Sequence, residues 1–405
     1  MMFQASRLAP VQPSASAGIS HKAKALKADG HDVIDLGLGE PDFATPPHVI
    51  EAAHQAALDG KTKYPPNDGT AELKAAIIAK LNRENNLAYS APEIIVSNGA
   101  KQIIFGALMA TLEPEQEVLL CAPFFDSYEN IILSIGGKPV ILPTEKDDGF
   151  CLTPERLEAA ITPNTRWLFL NHPSNPAGAV YHRERLAALG EVLERHPHVL
   201  VMSDEIYEHI LFDDRRFESF VSVCPALRDR TLTVNGVSKA YAMTGWRIGW
   251  GAGPQPLIAA MNKMQSLISS GACSVAQAAA AAAYDGPQDQ VETSRIAFQK
   301  RRDIVVAAVA DIPGLSLDAP GGAFYALIDC SGVIGATKPD GSLIESDLDF
   351  VSYVLDEGKV ASVPGSAYGV SPFFRLSTAN SEEKLTLAMQ RIADCVAKLT
   401  LPNAE

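Results

Sequence analysis

The sequence has no long apolar run, few aromatic residues and fewer basic than acidic side chains. Its 405 residues include 34 lysines and arginines against 48 aspartates and glutamates, a formal net charge of −14. A strongly acidic chain is repelled by nucleic-acid phosphates and by anionic membrane surfaces. No apolar stretch reaches the ~18–20 residues that span a bilayer. The sequence therefore predicts neither a nucleic-acid partner nor a membrane partner.

Cysteine is scarce and dispersed, and no two of the six cysteines form a CxxC pair. Scattered cysteines favour free thiols over disulfides or zinc ligands. The first 18 residues, MMFQASRLAPVQPSASAG, have no apolar signal core. Since 47% of the residues are hydrophobic, the chain can build a large core. These features predict a cytoplasmic enzyme without a metal.

Short apolar runs alternate with helical patterns through the central part of the chain. Continuous apolar runs are typical of strands covered on both faces, and their alternation with helices indicates a mostly parallel α/β sheet. The predicted strands are 93–98, 117–123, 166–173, 198–205, 230–237 and 246–253, with helices at 101–112, 154–161 and 183–196 between them.

The pattern changes after about residue 290. A helical segment at 292–312 leads into GLSLDAPGGAFYALIDC (314–330), which alternates with a period of two. That alternation predicts an antiparallel, half-exposed sheet with one covered face. We predict a large α/β domain over 46–290 and a smaller α+β domain built from 1–45 and 291–405. The linkers near 40–48 and 280–290 carry proline and glycine.

Polar residues follow the predicted strands, at the sheet edge where open α/β sheets bind ligands. Asn98 is expected to cap the helix that follows it, and the first-turn N–H groups of that helix would bind an anion. The other strand ends carry Asn171 and Asn175, then Asp204, Glu205 and Tyr207, then Ser238 and Lys239.

This combination of groups is what pyridoxal phosphate chemistry requires at one site. An amine, Lys239, would form a Schiff base with the cofactor and then move protons at the substrate. A carboxylate, Asp204, would keep the pyridine nitrogen protonated so that the ring withdraws electrons. A helix N-terminus, a hydroxyl and Arg247 would hold the phosphate, while a phenol and an amide would contact the ring oxygen. Each residue alone also has an ordinary structural interpretation, such as a solvated lysine or a helix cap.

Several longer motifs resemble the class I pyridoxal phosphate aminotransferases, with the closest similarity to the bacterial aspartate aminotransferase branch. The motifs are LGLGEPDFATP, KTKYPPNDGT, NHPSNPAGAVY, SDEIYEHI, SKAYAMTGWRIGW and FFRLSTA. The resemblance implies fold type I, with a mostly parallel seven-stranded sheet, and a homodimer with shared active sites. It implies transfer of an amino group from an L-amino acid, with aspartate favoured, to a 2-oxo acid, with 2-oxoglutarate favoured, by a ping-pong mechanism.

The resemblance also implies a role for each matching residue. The catalytic residues would be Lys239 as the Schiff-base lysine, Asp204 as the pyridinium partner and Tyr207. The other cofactor ligands would be Gly99, Ala100, Lys101, Phe125, Asn175, Ser238 and Arg247, with Tyr64 reaching the phosphate of the neighbouring subunit. The substrate would contact Gly39, Ser16, Lys101, Phe125, Asn175 and Arg375, of which Arg375 would clamp the α-carboxylate.

Two residues give opposite indications about the substrate. Phe125, in PFFDSY, stands where many aspartate aminotransferases carry a stacking tryptophan. A phenyl ring still covers a pyridine face, but it lacks the indole N–H, and this favours aromatic or kynurenine-like substrates. Lys101, in GAKQ, is similar to a lysine linked to acidic substrates. A β-eliminating lyase that uses the same cofactor residues is a further alternative.

Other classes of protein fit the sequence less well. A nicotinamide-dependent oxidoreductase would need GxGxxG, of which GLGEPD and GWGAGP are only fragments. A metal hydrolase would have to use SDEIYEH together with His196 and His198, which lack ligand spacing on a stable element. A non-catalytic sensor with this fold would not need both the candidate lysine and the candidate acid.

Overall fold

The computed structural model describes residues 4–12 and 15–402, without the side chains of residues 15–17. The helices are α1 Ala15–Ala28, α2 Pro47–Leu58, α3 Ala71–Asn85, α4 Ala100–Thr111, α5 Ser127–Ile135, α6 Pro154–Ala160, α7 Arg183–Glu194, α8 Phe220–Val223, α9 Gln255–Ile268, α10 Ser274–Asp285, α11 Asp289–Ala310, α12 Asp347–Tyr353 and α13 Glu382–Ala397. The strands are β1 Ile34–Asp35, β2 Ile94–Ser97, β3 Glu117–Ala122, β4 Lys138–Pro143, β5 Thr165–Asn171, β6 Leu200–Asp204, β7 Thr231–Gly236, β8 Gly249–Ala252, β9 Tyr325–Asp329, β10 Val360–Ala361, β11 Val363–Pro364 and β12 Phe373–Ser377.

The central sheet has seven strands in the order β2-β8-β7-β6-β5-β3-β4. Only β8 runs antiparallel to its neighbours, so the predicted mostly parallel seven-stranded sheet is confirmed. The edge strand β4 was not predicted, since it is partly exposed and has prolines near both ends. The strand predicted at 246–253 begins only at Gly249, because Thr244–Trp246 form a short 3-10 turn and Arg247 has a left-handed φ of 58°.

Alternating side chains of the central strands enter two separate cores. Val118 and Leu120 of β3 pack with α4, α5 and α9, whereas Leu119 packs on the opposite face with α6 and α7. A third core at the β2 edge joins α2, α3 and α10. Burial on both faces explains why the sequence of these strands is continuously apolar.

A second sheet has the order β11-β12-β9 and is antiparallel, as predicted. The expectation that it is half-exposed is wrong, because Tyr325, Ala326, Leu327 and Ile328 of β9 are all buried. Ala326 and Ile328 enter a core shared with α11, α12 and α13. Tyr325 and Leu327 point the other way, toward the central sheet and its loops.

The division of the chain into domains stays a prediction. The core behind β9 is built from Ile34 and Leu36 together with residues of 305–399, which is the distribution that the prediction expects. The linker predicted near 280–290 is shorter than expected, since α10 continues to Asp285 and α11 begins at Asp289. Within the described part of the chain, no helix is long and apolar enough to cross a membrane.

Candidate active site

A cavity of about 550 Å³ lies at the carboxyl ends of the central strands, where the sequence predicts the site. The predicted residues that line it are Gly39, Ala100, Lys101, Phe125, Asn175, Asp204, Tyr207, Ser238, Lys239, Arg247 and Arg375. Gly99 lies directly beside the Arg247 guanidinium. The fold thus brings together side chains from both ends of the chain.

Lys239 follows β7 and extends into the cavity. Its Nζ donates a hydrogen bond to the Gly39 carbonyl at 2.7 Å. Loss of water around the ammonium, together with the nearby positive charge of Arg375, lowers the Lys239 pKa from 10.5 to about 8. An amine with this pKa is partly neutral near physiological pH, and the neutral amine is the nucleophilic form.

Asp204 ends β6 and is buried, with 7% of its surface exposed. Its Oδ2 accepts a hydrogen bond from the Tyr128 hydroxyl at 2.5 Å, and its Oδ1 accepts one from the Ile206 N–H at 3.3 Å. Burial raises the Asp204 pKa from 3.8 to about 6, against the opposing effect of these hydrogen bonds. A cationic group beside Asp204 would favour its ionised form, so the site is suited to a protonated ring nitrogen.

The N-terminus of α4 and Arg247 together form an anion cradle. Helix α4 begins at Ala100, so its first N–H groups have no acceptor within the helix. The prediction that Asn98 caps this helix is wrong, because Gly99 occupies that position with a φ of 89°. The positive φ of Gly99 favours glycine, and the absence of a side chain there leaves room for the Arg247 guanidinium. The Ser238 side chain lines the same cavity.

Arg375 is held deep in the opposite wall with only 2% of its surface exposed. Its Nη1 donates to Asn175 Oδ1 at 3.0 Å, and its Nη2 donates to the Gly37 carbonyl. The guanidinium lies 4.6 Å from the centre of the Tyr325 ring. Both acceptors are neutral oxygens, so neither of these hydrogen bonds pairs the guanidinium with a carboxylate. The positive charge can therefore pair with the carboxylate of a ligand.

Three further side chains of the site were not assigned from the sequence. Tyr128 donates to Asp204, Tyr325 exchanges a hydrogen bond with Tyr207 at 2.9 Å between hydroxyl oxygens, and Asn171 donates to the Asp204 carbonyl at 3.0 Å. Asn171 stands at a strand end, and that position was a usable signal. Tyr325 comes from a distant strand, and no local pattern connects it with the central sheet.

Lys101 and Phe125 lie together at the mouth of the cavity. The Lys101 Nζ is 5.0 Å from the centre of the Phe125 ring and donates to Ser127 Oγ at 3.0 Å. Burial, with the charge of Arg247 acting in the same direction, lowers the Lys101 pKa, and Asp126 opposes this shift. The pair therefore presents one cation and one aromatic face to whatever enters.

Two predicted residues are not part of this cavity within one chain. Tyr64 is 92% exposed and lies outside it. The side chain of Ser16 lies outside the described residues.

The histidines considered for a metal site have other partners. His196 Nε2 lies 2.9 Å from Glu158 Oε1, and His198 Nε2 lies 3.0 Å from the Thr162 carbonyl oxygen. Glu84, Glu208 and His209 approach one another at metal-like spacing, but the Lys80 ammonium pairs with both carboxylates. Among the residues that the structure describes, this is the one such group.

Known proteins share both the sequence and the architecture. An aspartate/prephenate aminotransferase of Cereibacter sphaeroides is 50% identical over 400 residues, covering 99% of this chain and all of that protein. The crystal structure of the aspartate aminotransferase from Rhizobium meliloti has a TM-score of 0.96 at 50% identity, covering 98% of this chain and 99% of that one. The Thermus thermophilus aspartate aminotransferase with maleate has a TM-score of 0.90 at 38% identity, covering 98% and 100% of the two chains.

These similarities confirm the fold predicted from the resemblance, a fold type I arrangement with a central seven-stranded sheet. The family model described as aminotransferase class I and II matches residues 31–392, which is most of the chain. The chain therefore belongs to the class I and II aminotransferase family.

Proposed function

We propose that the chain transfers the amino group of L-aspartate to 2-oxoglutarate with pyridoxal phosphate as cofactor. The observation that carries this proposal is the convergence of Lys239, Asp204 and Arg375 on one cavity. A nucleophilic amine, a buried acid and an arginine without a carboxylate partner are the groups that this transfer requires.

The described residues fit the cofactor. The α4 N-terminus, Ser238 and Arg247 would hold its phosphate. Because Gly99 has no side chain, the Arg247 guanidinium can lie close to the first N–H groups of α4. Asp204 would pair with the ring nitrogen, while Tyr207 and the Asn175 amide would contact the ring oxygen. When bound, pyridoxal phosphate supplies an electron-withdrawing ring that stabilises negative charge at the substrate Cα.

The chain's own residues would then bind the substrate and move its proton. Arg375 would exchange its neutral acceptors, the Gly37 carbonyl and the Asn175 amide, for the α-carboxylate. This would fix the Cα within reach of Lys239. Because the Lys239 pKa is lowered to about 8, its amine can both accept and return a proton near neutral pH.

The amino donor is proposed from the cation at the cavity mouth and from the relatives. Lys101 would bind the distal carboxylate of aspartate or 2-oxoglutarate. All three similar proteins described above carry aspartate in their names, and one of the two structures contains maleate, a dicarboxylate. The Phe125 ring beside Lys101 keeps aromatic or kynurenine-like donors as the second candidate.

The proposal is tested by the visible spectrum of the cofactor-loaded protein, recorded with L-aspartate and no oxo acid. We expect the yellow band to disappear as the amino group passes to the cofactor, and to return when 2-oxoglutarate is added. A band that aspartate leaves unchanged but phenylalanine or kynurenine removes would support the second candidate. A protein that forms no band with pyridoxal phosphate would contradict both candidates. Release of ammonia without any oxo acid from a donor with a leaving group on Cβ, such as cysteine or O-acetylserine, would indicate a β-eliminating lyase.

Substitution of Lys101 by alanine should lower kcat/KM for aspartate more than for phenylalanine. One charge-assisted hydrogen bond contributes about 1.5–3 kcal/mol, so the aspartate value should fall roughly 10- to 100-fold. Phenylalanine has no second carboxylate and should lose less than about threefold by the same reasoning. Steady-state kinetics with both donors gives the comparison, and Lys101→Arg serves as a control that keeps the charge. Equal losses for the two donors would remove this role for Lys101.

We also propose that the chain acts as a cytoplasmic homodimer. The exposed Tyr64 ring is separate from the cavity of its own chain, which leaves it available to the phosphate site of a second copy. Leu58 and Leu267 are apolar residues with 69% and 80% of their surface exposed. An interface between two copies of the chain would cover such residues.

A further inference from the structure

A second cavity, of about 310 Å³, is lined by Leu327 and Phe373, which are neighbours of Arg375 in the β12–β9 ladder. Its apolar walls include Phe150, Val180, Leu327 and Phe373. The rings of Phe150 and Phe373 meet edge to face, with centroids 5.7 Å apart. Cavities that bind small ligands have volumes of roughly 300–1,000 Å³ and combine apolar walls with a few polar groups.

Three cations reach this second cavity, and one of them has no hydrogen-bond partner among the described residues. Lys146 donates to Ser316 Oγ at 2.9 Å, and Arg185 donates to Asp148 Oδ1 at 3.3 Å. The Arg215 side chain is exposed and makes no hydrogen bond or ion pair with the described residues.

The acids around Arg215 are engaged elsewhere. Asp213 pairs with both Nη atoms of Arg302, and Asp148 pairs with Arg185. The remaining acid at the cavity, Asp318, lies 3.9 Å from the Lys146 Nζ. Besides the hydrogen bonds of Arg302, the Arg215 charge helps to lower the Asp213 pKa, but Arg215 makes no hydrogen bond or close ion pair with a described acid. A guanidinium so placed at the edge of an apolar chamber can bind the carboxylate of a ligand.

The second cavity and the active site share two chain segments. In the β12–β9 ladder, Arg375 is paired with Leu327, so the active-site arginine stands beside a wall residue of the second cavity. Phe373 is two residues from Arg375 on the same strand and faces the same side. The loop that carries Asn175, the partner of Arg375, continues into Val180.

We propose that the second cavity binds a small organic anion, a carboxylate on an apolar body, and that its occupancy changes the affinity of the active site for its amino-acid substrate. The ring or alkyl body would lie against Phe150 and Phe373, and the carboxylate would pair with Arg215. Coupling follows from the shared β12 strand and the shared loop at Asn175, since a ligand that shifts either one shifts an Arg375 contact. The binding part is independent of the function proposed above, whereas the coupling part rests on the role of Arg375 in that function.

Calorimetric titration of the cofactor-loaded protein with benzoate tests the binding. Arg215→Gln is the test variant, because the Arg215 side chain is exposed and its removal breaks no hydrogen bond with the described residues. Arg216→Gln is the matched control, since Arg216 is the next residue, is also exposed and lies outside the cavity. We expect the parent and the control to bind two benzoates per chain, one in each cavity. In Arg215→Gln the second site should weaken roughly tenfold or more, the loss expected for one charge-assisted contact.

Two further probes define the ligand chemistry. Benzyl alcohol has the same ring without the charge, and inorganic phosphate has charge without the ring. Both should bind the second site much more weakly than benzoate does. Equal binding of benzyl alcohol would overturn the role of the charge, and equal binding of phosphate would overturn the role of the apolar body. Identical benzoate titrations of Arg215→Gln and Arg216→Gln would overturn the site itself.

The coupling is measured as the change in KM for L-aspartate when benzoate is added. Benzoate competes with aspartate at the active site equally in both variants. The difference between their KM changes therefore measures the effect of benzoate in the second cavity. We expect benzoate to change KM about fivefold more in Arg216→Gln than in Arg215→Gln, the lower end of typical allosteric coupling. Equal changes would overturn the coupling. If the chain does not use aspartate, the titration still decides whether the second site exists.

Discussion

Replacement of Lys239 by alanine is expected to lower kcat by at least about 10⁴-fold, the upper end of what a positioned proton-transfer group contributes. The amine lies in the cavity with one hydrogen-bond acceptor, the Gly39 carbonyl, and its lowered pKa suits both nucleophilic attack and proton transfer. Among the described residues, Lys101 is the other lysine that lines the cavity, and its Nζ lies at the cavity mouth in a hydrogen bond to Ser127, away from the position of Lys239. Single-turnover measurements with aspartate give the rate of the chemical step.

Two observations separate a catalytic loss from a binding loss. Fluorescence titration with pyridoxal phosphate should still detect binding in Lys239→Ala, because the phosphate cradle at α4 and Arg247 is intact. Added methylamine should restore part of the rate, since truncation leaves room for a small base. A variant that retains kcat within tenfold of the parent would exclude Lys239 as the proton-transfer group.

Replacement of Asp204 by asparagine is expected to lower kcat by about 10²–10³-fold or more while making the cofactor-free chain more stable. The kinetic loss is the typical effect of removing one preorganised charge from a reacting centre. The gain in stability follows from burial, which raises the Asp204 pKa from 3.8 to about 6. Between those two pH values the unfolded chain ionises Asp204 and the folded chain keeps it protonated. The free energy of unfolding therefore falls as pH rises through this window, by about 3 kcal/mol in total above pH 6.

Asparagine has no charge to bury, so Asp204→Asn should recover up to about 3 kcal/mol at pH 7.5 and lose this advantage below pH 4. Urea unfolding of the cofactor-free proteins at the two pH values measures the difference.

Glu205→Gln is the matched control. Glu205 is the next residue, burial raises its pKa to about 7, and it lies outside the cavity, bonded to Ser203 and Ser219. The control should also gain stability but keep its turnover. Normal turnover in Asp204→Asn would show that the ring nitrogen has another partner.

The sequence predicted the parts of the site that follow a strand directly. Asp204 and Lys239 come at the ends of continuous apolar runs, and parallel strands bring such ends to one edge of the sheet. Arg375 was predicted only through a motif resemblance, because nothing in its own neighbourhood shows that β12 faces the central sheet. Tyr325 had neither signal and was not predicted.

The errors have local causes. Asn98 is a good capping residue by type, but Gly99 occupies the cap position with a positive φ that favours glycine, and side-chain preference does not reveal this. Strand β9 alternates in sequence, and such alternation predicts one exposed face. That face is instead covered by the loops of the central sheet. A pattern of period two does not show whether the second face of a strand contacts solvent or another part of the protein.

Burial of β9 on both faces has a consequence for how the chain can change in evolution. Tyr325 lines the active-site cavity and Leu327 lines the second cavity, while Ala326 and Ile328 lie in the core of α11–α13. Because successive side chains of a strand point in opposite directions, one inserted or deleted residue would exchange the two sets completely. A tyrosine hydroxyl would enter an apolar core, and an alanine would replace it beside Arg375. A single substitution in β9 changes the packing of one face only. A change in the length of β9 would alter the packing of both faces together.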